Sequence, residues 1–177
     1  HPQRRLERGQ RDLAVALREV RVADVRERAG HLHGQVERVA RGEQVVVVGR
    51  DGRLSGTQMN AALIEGLRAS GRDVIDVGMV PTPVVYFAAK VIGTGTGVMI
   101  TGSHNPPDYN GFKVMVAGDT LYGPQIKDIY RRIIENDVRS GEGQVEGKQV
   151  LSQYRERISW DMKPEPGLQV VVDLGNC

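Results

Sequence analysis

Short runs of β-branched residues alternate with helical patterns from residue 45 onward, and few folds accept such an order. Val45-Val46-Val47-Val48 has the composition of a strand buried on both faces of a sheet. Similar apolar runs predict three more strands, at 74–77, 97–101 and 112–116. Helical spacing of apolar residues predicts helices at 57–70, 82–92, 124–136 and 150–160. This order predicts an α/β fold, a layered domain with a four-stranded mixed sheet between helices on both faces.

The composition restricts the class of protein. Apolar residues make up 40% of the 177 residues, enough for a packed core. No apolar run approaches the roughly 20 residues of a membrane span, and no signal peptide follows the basic start. The single cysteine cannot form a disulfide within the chain. We therefore expect a cytoplasmic protein without membrane partners.

Residues 1–44 differ in composition from the rest of the chain. They hold ten Arg, no Lys, seven acidic residues and no aromatic residue, which gives a net charge of +3. A helix is predicted within them at 13–28. Nucleic-acid binding is not expected, because the acids nearly balance the arginines and no aromatic side chain can stack on bases. We interpret 1–44 as an atypical Arg-rich N-terminal segment.

The remaining chain divides into three parts. The strands and most of the helices lie in an α/β domain over residues 45–150, and a helix with its linker covers 151–167. Gln169 to Asp173 then predicts a new strand, and the chain ends at Cys177. A strand followed so soon by the end of the chain predicts that 168–177 opens a truncated second domain.

The loop from Thr101 to Lys113 contains the residues best suited to chemistry. It leaves a buried strand and presents Ser103 and His104 side by side, followed by two prolines that stiffen it. Asn110-Gly111 is a strong turn signal that can return the chain beside the preceding strand and bring Lys113 near Ser103. A hydroxyl, an imidazole and an ammonium would then meet where α/β proteins usually bind ligands. A serine in a surface turn is the plainer interpretation of the same residues.

Two other motifs resemble known functional sequences, but their positions in the chain exclude those functions. Gly93-Thr94-Gly95-Thr96-Gly97 imitates a dinucleotide-binding fingerprint but precedes a strand instead of following one. Ser103 is not the nucleophile of a Gly-x-Ser-x-Gly elbow, since Asn105 occupies the position of the second glycine.

The whole string from Thr101 to Lys113 resembles the phosphoserine loop of the α-D-phosphohexomutases, in the variant of the bacterial phosphomannomutase/phosphoglucomutase branch. The stretches 48–56, 76–83 and 170–176 are also similar to that family, so the resemblance covers about residues 45–177. The Phe-Arg-Ala-Tyr-Asp-Ile-Arg-Gly segment with which the family usually opens is not found in 1–44. The resemblance implies a fold like the first domain of a phosphohexomutase.

Residue roles follow from the resemblance alone. It implies that Ser103 carries the phosphoryl group, that Lys113 is the general acid/base, and that His104 assists near the phosphate. Arg50 and Asn105 would contact substrate or phosphate, with Arg50 ordering the loop. Other roles stay open: Lys113 could be a solvated strand lysine, His104 could brace the loop, and Arg50 could pair with a neighbouring Asp.

The resemblance also implies cofactors and partners. Mg²⁺ would bind the Ser103 phosphate, with most of its ligands in the missing second domain, and glucose or mannose bisphosphate would be the activator. The chain would be a fragment of a monomeric enzyme that moves a phosphoryl group between the 1- and 6-positions of mannose or glucose phosphate. The alternative is an inactive remnant that binds a sugar phosphate or a protein partner.

Overall fold

The computed structural model of the protein describes residues 44–137, 139–167 and 169–173. Its strands are β1 (Val45–Arg50), β2 (Asp73–Met79), β3 (Gly97–Ile100), β4 (Phe112–Val116), β5 (Asp119–Thr120) and β6 (Val145–Gly147). Its helices are α1 (Leu54–Ala69), α2 (Thr82–Ile92), α3 (Pro124–Ile134) and α4 (Leu151–Asp161). The predicted helix at 13–28, like the rest of residues 1–43, lies outside the described residues.

One mixed sheet organises the described residues, with strand order β5-β4-β3-β1-β2-β6. β1 pairs in parallel with both β2 and β3, and α1 and α2 supply the crossovers. β4 returns antiparallel to β3, with Ile100 opposite Phe112 and Met99 opposite Lys113. The predicted return of the chain after Asn110-Gly111 is therefore confirmed. Parallel β1 and β3 end at the same edge of the sheet, and the loops that follow them meet there.

Apolar clusters cover both faces of the sheet, which gives the predicted layered arrangement. On one face α1 and α3 pack against strand residues that include Val46, Val98 and Ile100. On the other face α2 and the start of α4 pack against Val47 and Met99. Strand alternation explains the division, because neighbouring valines of β1 point to opposite faces. The β1 valines 46–48 are almost fully buried, as the apolar run predicts.

The predicted strand count was wrong, since the sheet has six strands among the described residues and not four. β5 and β6 are edge strands of two and three residues. Their side chains are exposed, so they lack the apolar pattern by which a strand is recognised in a sequence. They form because the outer strands β4 and β2 offer backbone groups that need partners.

The apolar stripe of α3 is narrower than predicted. Ile129 is buried, and Ile126 and Ile133 pack against the same cluster. Tyr130 and Ile134 continue the same helical spacing of apolar residues and so were expected on the buried face, but they are 48% and 62% exposed. The helix lies over the edge of the sheet near β4, where three positions at spacing i, i+3 and i+7 suffice to cover it.

The strand predicted at 169–173 is not formed. These residues have no regular structure, and Val170, Val171 and Val172 are exposed. A strand requires a neighbouring strand for its backbone groups, and this segment pairs with no strand of the described sheet. No helix of the described residues is long and apolar enough to span a membrane.

Candidate active site

The loop from Thr101 to Lys113, which we term the serine loop, lies at the carboxyl edge of the sheet, beside the turn that joins β1 to α1. Asp51 N–H donates to the carbonyl of Ile100 at 2.9 Å, so the turn is fastened to the end of β3. Ser103 itself is exposed, and its φ of 53° lies in the left-handed region that few residues other than glycine adopt. Its N–H donates to the Thr101 hydroxyl at 2.9 Å. The loop therefore holds an exposed hydroxyl in an unusual backbone conformation.

The Arg53 guanidinium fastens the loop to the turn. Its Nη1 donates to the carbonyls of Pro106 and Tyr109 at 2.5 and 3.0 Å. Its Nη2 donates to the carbonyls of Ser103 and Asn105 at 3.2 and 2.7 Å. The Nε lies 3.4 Å from an Asp51 carboxylate oxygen. Arginine has five N–H donors, and the four on Nη1 and Nη2 each have a carbonyl acceptor here.

The Asp51 carboxylate also helps to hold the serine loop against the turn. One carboxylate oxygen accepts the Arg53 backbone N–H at 3.0 Å, and the other accepts the Gly102 N–H at 3.2 Å. Partial burial raises the pKa of Asp51, but hydrogen bonds from Arg53 N–H, the Thr101 hydroxyl and Gly102 N–H, with the Arg53 charge, outweigh it and lower the pKa. The carboxylate is thus held ionised under the loop.

Gly102 is required by the close approach of Arg53. A Cβ built on Gly102 would lie 2.2 Å from both Cζ and Nε of Arg53, inside van der Waals contact. The guanidinium could move aside only by releasing the loop carbonyls that it binds. The glycine before Ser103 therefore makes room for the contact that fixes the loop.

The other predicted site residues lie around this loop. His104 and Asn105 are exposed, and the Asn105 backbone carbonyl, not its side chain, contacts Arg53. Lys113 is half-buried on β4, opposite Met99 of the cluster under α2. Among the described residues the side chains of His104 and Lys113 have no hydrogen-bond or ion-pair partner. The structure thus brings all of these residues to one edge of the sheet.

Arg53, and not Arg50, donates hydrogen bonds to the loop carbonyls within the described residues, and the ordering role of Arg50 stays a prediction. The only hydrogen bond of the Arg50 guanidinium within the described residues goes from Nη1 to the Asp51 carbonyl at 3.1 Å. Both arginines stand in the same turn of the sequence, so composition could not separate them. The one available signal was Gly102, a glycine next to the candidate nucleophile, where a close approach is often required.

The described residues do not form a magnesium site by themselves. Mg²⁺ demands about six oxygen ligands, several of them carboxylates or phosphates. No group of three or more His, Cys, Asp or Glu side chains that could hold a metal occurs within the described ranges. Asp51, the carboxylate in the neighbouring turn, already accepts hydrogen bonds on both oxygens. It is therefore committed to the loop and is a poor candidate ligand.

Acidification should release the loop. The pKa of Asp51 is lower in the folded chain than its ordinary value of 3.8. The contribution of the ionised Asp51 to the free energy of unfolding is therefore complete above about pH 4, and it is lost as pH falls through the folded-state pKa. The Gly102 amide signal in NMR should titrate with a midpoint below 3.8, and Asp51→Asn should remove that titration. A midpoint at or above 4 in the folded chain would contradict the assignment.

Comparison with known proteins agrees with this geometry. Residues 11–140 match the family model described as phosphoglucomutase/phosphomannomutase, alpha/beta/alpha domain I. A phosphomannomutase/phosphoglucomutase of Pseudomonas aeruginosa is 54% identical over 140 residues, 79% of this chain and 30% of that protein. A phosphoglucomutase of Neisseria gonorrhoeae is 45% identical over 134 residues, 74% of this chain and 29% of that protein.

A solved structure gives the same result. The crystal structure of a phosphoglucomutase/phosphomannomutase family protein from Burkholderia thailandensis superposes with a TM-score of 0.72 at 46% identity, over 81% of this chain and 32% of that one. The fold and the serine loop define an α/β/α domain with an exposed serine loop at the carboxyl edge of its sheet. The chain belongs to the phosphoglucomutase/phosphomannomutase family.

Two facts qualify the extent of the match. The chain spans about a third of the length of the curated relatives. The range matched by the family model starts at residue 11, inside the Arg-rich segment and upstream of residue 45, where we placed the start of the domain.

Proposed function

We propose that this chain is the phosphoserine-bearing part of a phosphohexomutase. The intact enzyme would move a phosphoryl group between the 1- and 6-positions of mannose or glucose phosphate. The observation that carries the proposal is the exposed Ser103, held with a positive φ at the carboxyl edge of the sheet in a member of this family. Strained backbone at an exposed nucleophile is a frequent mark of a functional site.

The chemistry requires two phosphoryl transfers through Ser103. In the first, the bond between Oγ of phosphoserine and phosphorus breaks and a bond from phosphorus to a sugar hydroxyl forms. The hydroxyl proton leaves and the Ser103 oxygen gains a proton, so that a hexose bisphosphate and a free serine result. In the second, the bond between the other phosphorus and its sugar oxygen breaks and that phosphorus bonds to the Ser103 oxygen, while the serine hydroxyl loses its proton and the sugar oxygen gains one. The serine is phosphorylated again, and the net change is a move of phosphate along the sugar.

Lys113 is proposed as the general acid/base of these transfers. Met99 faces Lys113 across the strand pair, and Thr101 follows Met99 by two residues, so strand alternation places Lys113 and Thr101 on the same face of the sheet. The Thr101 hydroxyl accepts the Ser103 N–H. This shared face supports a route from Lys113 to the phosphoserine. Without bound substrate a general acid/base often lies beyond hydrogen-bond distance of the reacting group, and we expect Lys113 to come within reach when the sugar binds.

His104, Asn105 and Arg50 are proposed to contact the phosphate or the sugar. His104 and Asn105 directly follow Ser103 on the exposed loop. Arg50 retains guanidinium donors beyond its hydrogen bond to the Asp51 carbonyl, and donors that are not already bound to protein can serve an anion. Mg²⁺, bound in part by the Ser103 phosphate, and a hexose bisphosphate activator complete the proposal. The remaining ligands of the cation would come from outside the described residues.

The test uses the full-length enzyme that contains this chain. Incubation with glucose 1,6-bisphosphate should place one phosphate on the peptide that contains Ser103, detected by fragmentation mass spectrometry. ³¹P NMR should show interconversion of the 1- and 6-phosphates of mannose or glucose. Turnover with an unmodified Ser103 peptide at every stage would contradict the phosphoserine mechanism.

The second candidate is a non-catalytic chain that binds a sugar phosphate or a protein partner. It would use the same exposed loop as a binding surface, without phosphoryl transfer. An assay of the 177-residue chain alone separates the candidates, because clear mutase turnover without any further domain would exclude a non-catalytic role.

A further inference from the structure

The donors of the Arg53 guanidinium are largely occupied by protein groups. Four of its five N–H groups bind loop carbonyls, those of Ser103, Asn105, Pro106 and Tyr109. The fifth, on Nε, faces the Asp51 carboxylate at 3.4 Å. The side chain is only 15% exposed, although it lies beside a loop that is mostly exposed. An arginine near a phosphorylated serine would ordinarily be assigned to the phosphate, and these contacts argue against that assignment.

We propose that Arg53 is a positioning residue that sets the Ser103 backbone before any phosphate or sugar binds. The four carbonyls span seven residues of the loop, from Ser103 to Tyr109, and converge on one planar group. Such convergence is possible only if the loop curls around the guanidinium. Since one of the carbonyls is that of Ser103, the contact acts directly on the residue whose φ is 53°.

Asp51 and Gly102 act together with Arg53, and we term these three residues the loop clamp. Asp51 binds the Gly102 N–H from one side, and the Arg53 guanidinium packs against Gly102 where a side chain would stand. The Asp51–Arg53 pair also neutralises the two charges locally, so the clamp adds no net charge next to the phosphate. The free donors of Arg50 in the same turn are then left to meet an anion.

The inference rests on the proposed role of Ser103 for its functional meaning, but its test does not require turnover. Backbone order parameters of residues 102–109 in the 177-residue chain should be near those of rigid backbone, about 0.85, and fall below about 0.6 in Arg53→Lys. Lysine keeps the charge but has three donors on one nitrogen, so it cannot hold four diverging carbonyls. Amides of β1 and β3 should keep their order, which separates loss of the clamp from loss of the fold.

Two further variants secure the result. Gly102→Ala should loosen the same residues from the opposite side of the contact, with Arg53 intact, and it carries the test if Arg53→Lys does not fold. Arg50→Lys is the matched control, because Arg50 lies in the same turn but binds no loop carbonyl, and the loop should stay ordered. A loop that remains ordered in both Arg53→Lys and Gly102→Ala would overturn the proposal.

A spectroscopic measurement tests the commitment of the guanidinium. In the ¹⁵N-arginine spectrum at about pH 6, the Nη–H protons of Arg53 should be resolved, since bound donors rotate slowly, and the signals are assigned by their loss in Arg53→Lys. They should keep their positions when phosphoserine is installed at 103. Large shifts of all the Arg53 signals on phosphorylation would show that Arg53 is a phosphate ligand, and the positioning role would fall. Failure of the mutase assay would leave both NMR results unchanged, so the two proposals can fail separately.

Discussion

Replacement of Ser103 by alanine is expected to lower the mutase activity of the full-length enzyme by at least about a thousandfold, because the phosphoryl group would have no oxygen to occupy between its two sugar positions. The measurement is kcat for interconversion of the 1- and 6-phosphates, with the Ser103 peptide checked for phosphate. Turnover near that of the wild type would remove Ser103 from the mechanism while leaving the family assignment in place.

A second substitution separates chemistry from stability. Glycine adopts a φ of 53° without strain, so Ser103→Gly should change the free energy of unfolding by less than about 1 kcal/mol and still abolish turnover. Ser152→Ala, on the exposed surface of α4, is the control and should leave both quantities unchanged. Equal loss of activity in Ser152→Ala would show that the assay reports on folding and not on the nucleophile.

The central sheet could be predicted from the sequence because burial on two faces leaves a strong pattern. Val45 to Val48 had to be a buried strand, and Asn110-Gly111 had to turn the chain back along β3. The edge strands β5 and β6 could not be predicted in this way, since their side chains face solvent and their pairing is made by backbone groups alone. The buried face of α3 was predicted too wide for a different reason. Five of its apolar residues follow the helical period, but only three of them pack against the cluster on the sheet.

The position of the exposed Ser103 loop could be predicted from the sequence, but the contacts that hold the loop could not. The string around Ser103 resembles a known loop over its whole length, and so its residues could be named. The hydrogen bonds from Arg53 to four backbone carbonyls leave no recognisable pattern in the sequence, because every residue type supplies a backbone carbonyl. Arg50 and Arg53 are equivalent in the sequence, and only the curl of a loop fifty residues later distinguishes them.

Substitution of Gly143 by alanine is expected to produce the largest loss of stability of any exchange considered for this chain. Gly143 is buried, and a Cβ there would lie 2.0 Å from the carbonyl oxygen of Arg72 and 2.4 Å from its carbonyl carbon. These are backbone atoms between α1 and β2, so they cannot rotate away as a side chain would. The unfolding free energy should fall by roughly 3 kcal/mol, the upper end of the range for overpacked sites. Urea denaturation of the 177-residue chain measures it, with the slope unchanged if only stability is affected.

Gly147→Ala is the matched control, because it changes the same residue type in the same segment where no atom lies within 4 Å of the new methyl group. It should alter the unfolding free energy by no more than about 0.5 kcal/mol. The contrast tests how β6 is attached. The Gly143 N–H donates to the Arg68 carbonyl at 2.8 Å, and the Gln144 carbonyl accepts the Val74 N–H at 2.8 Å, so displacement of Gly143 should also free the outer edge of β2. If Gly143→Ala and Gly147→Ala were equally stable, β6 would have to be attached by contacts other than the close approach of Gly143 to Arg72.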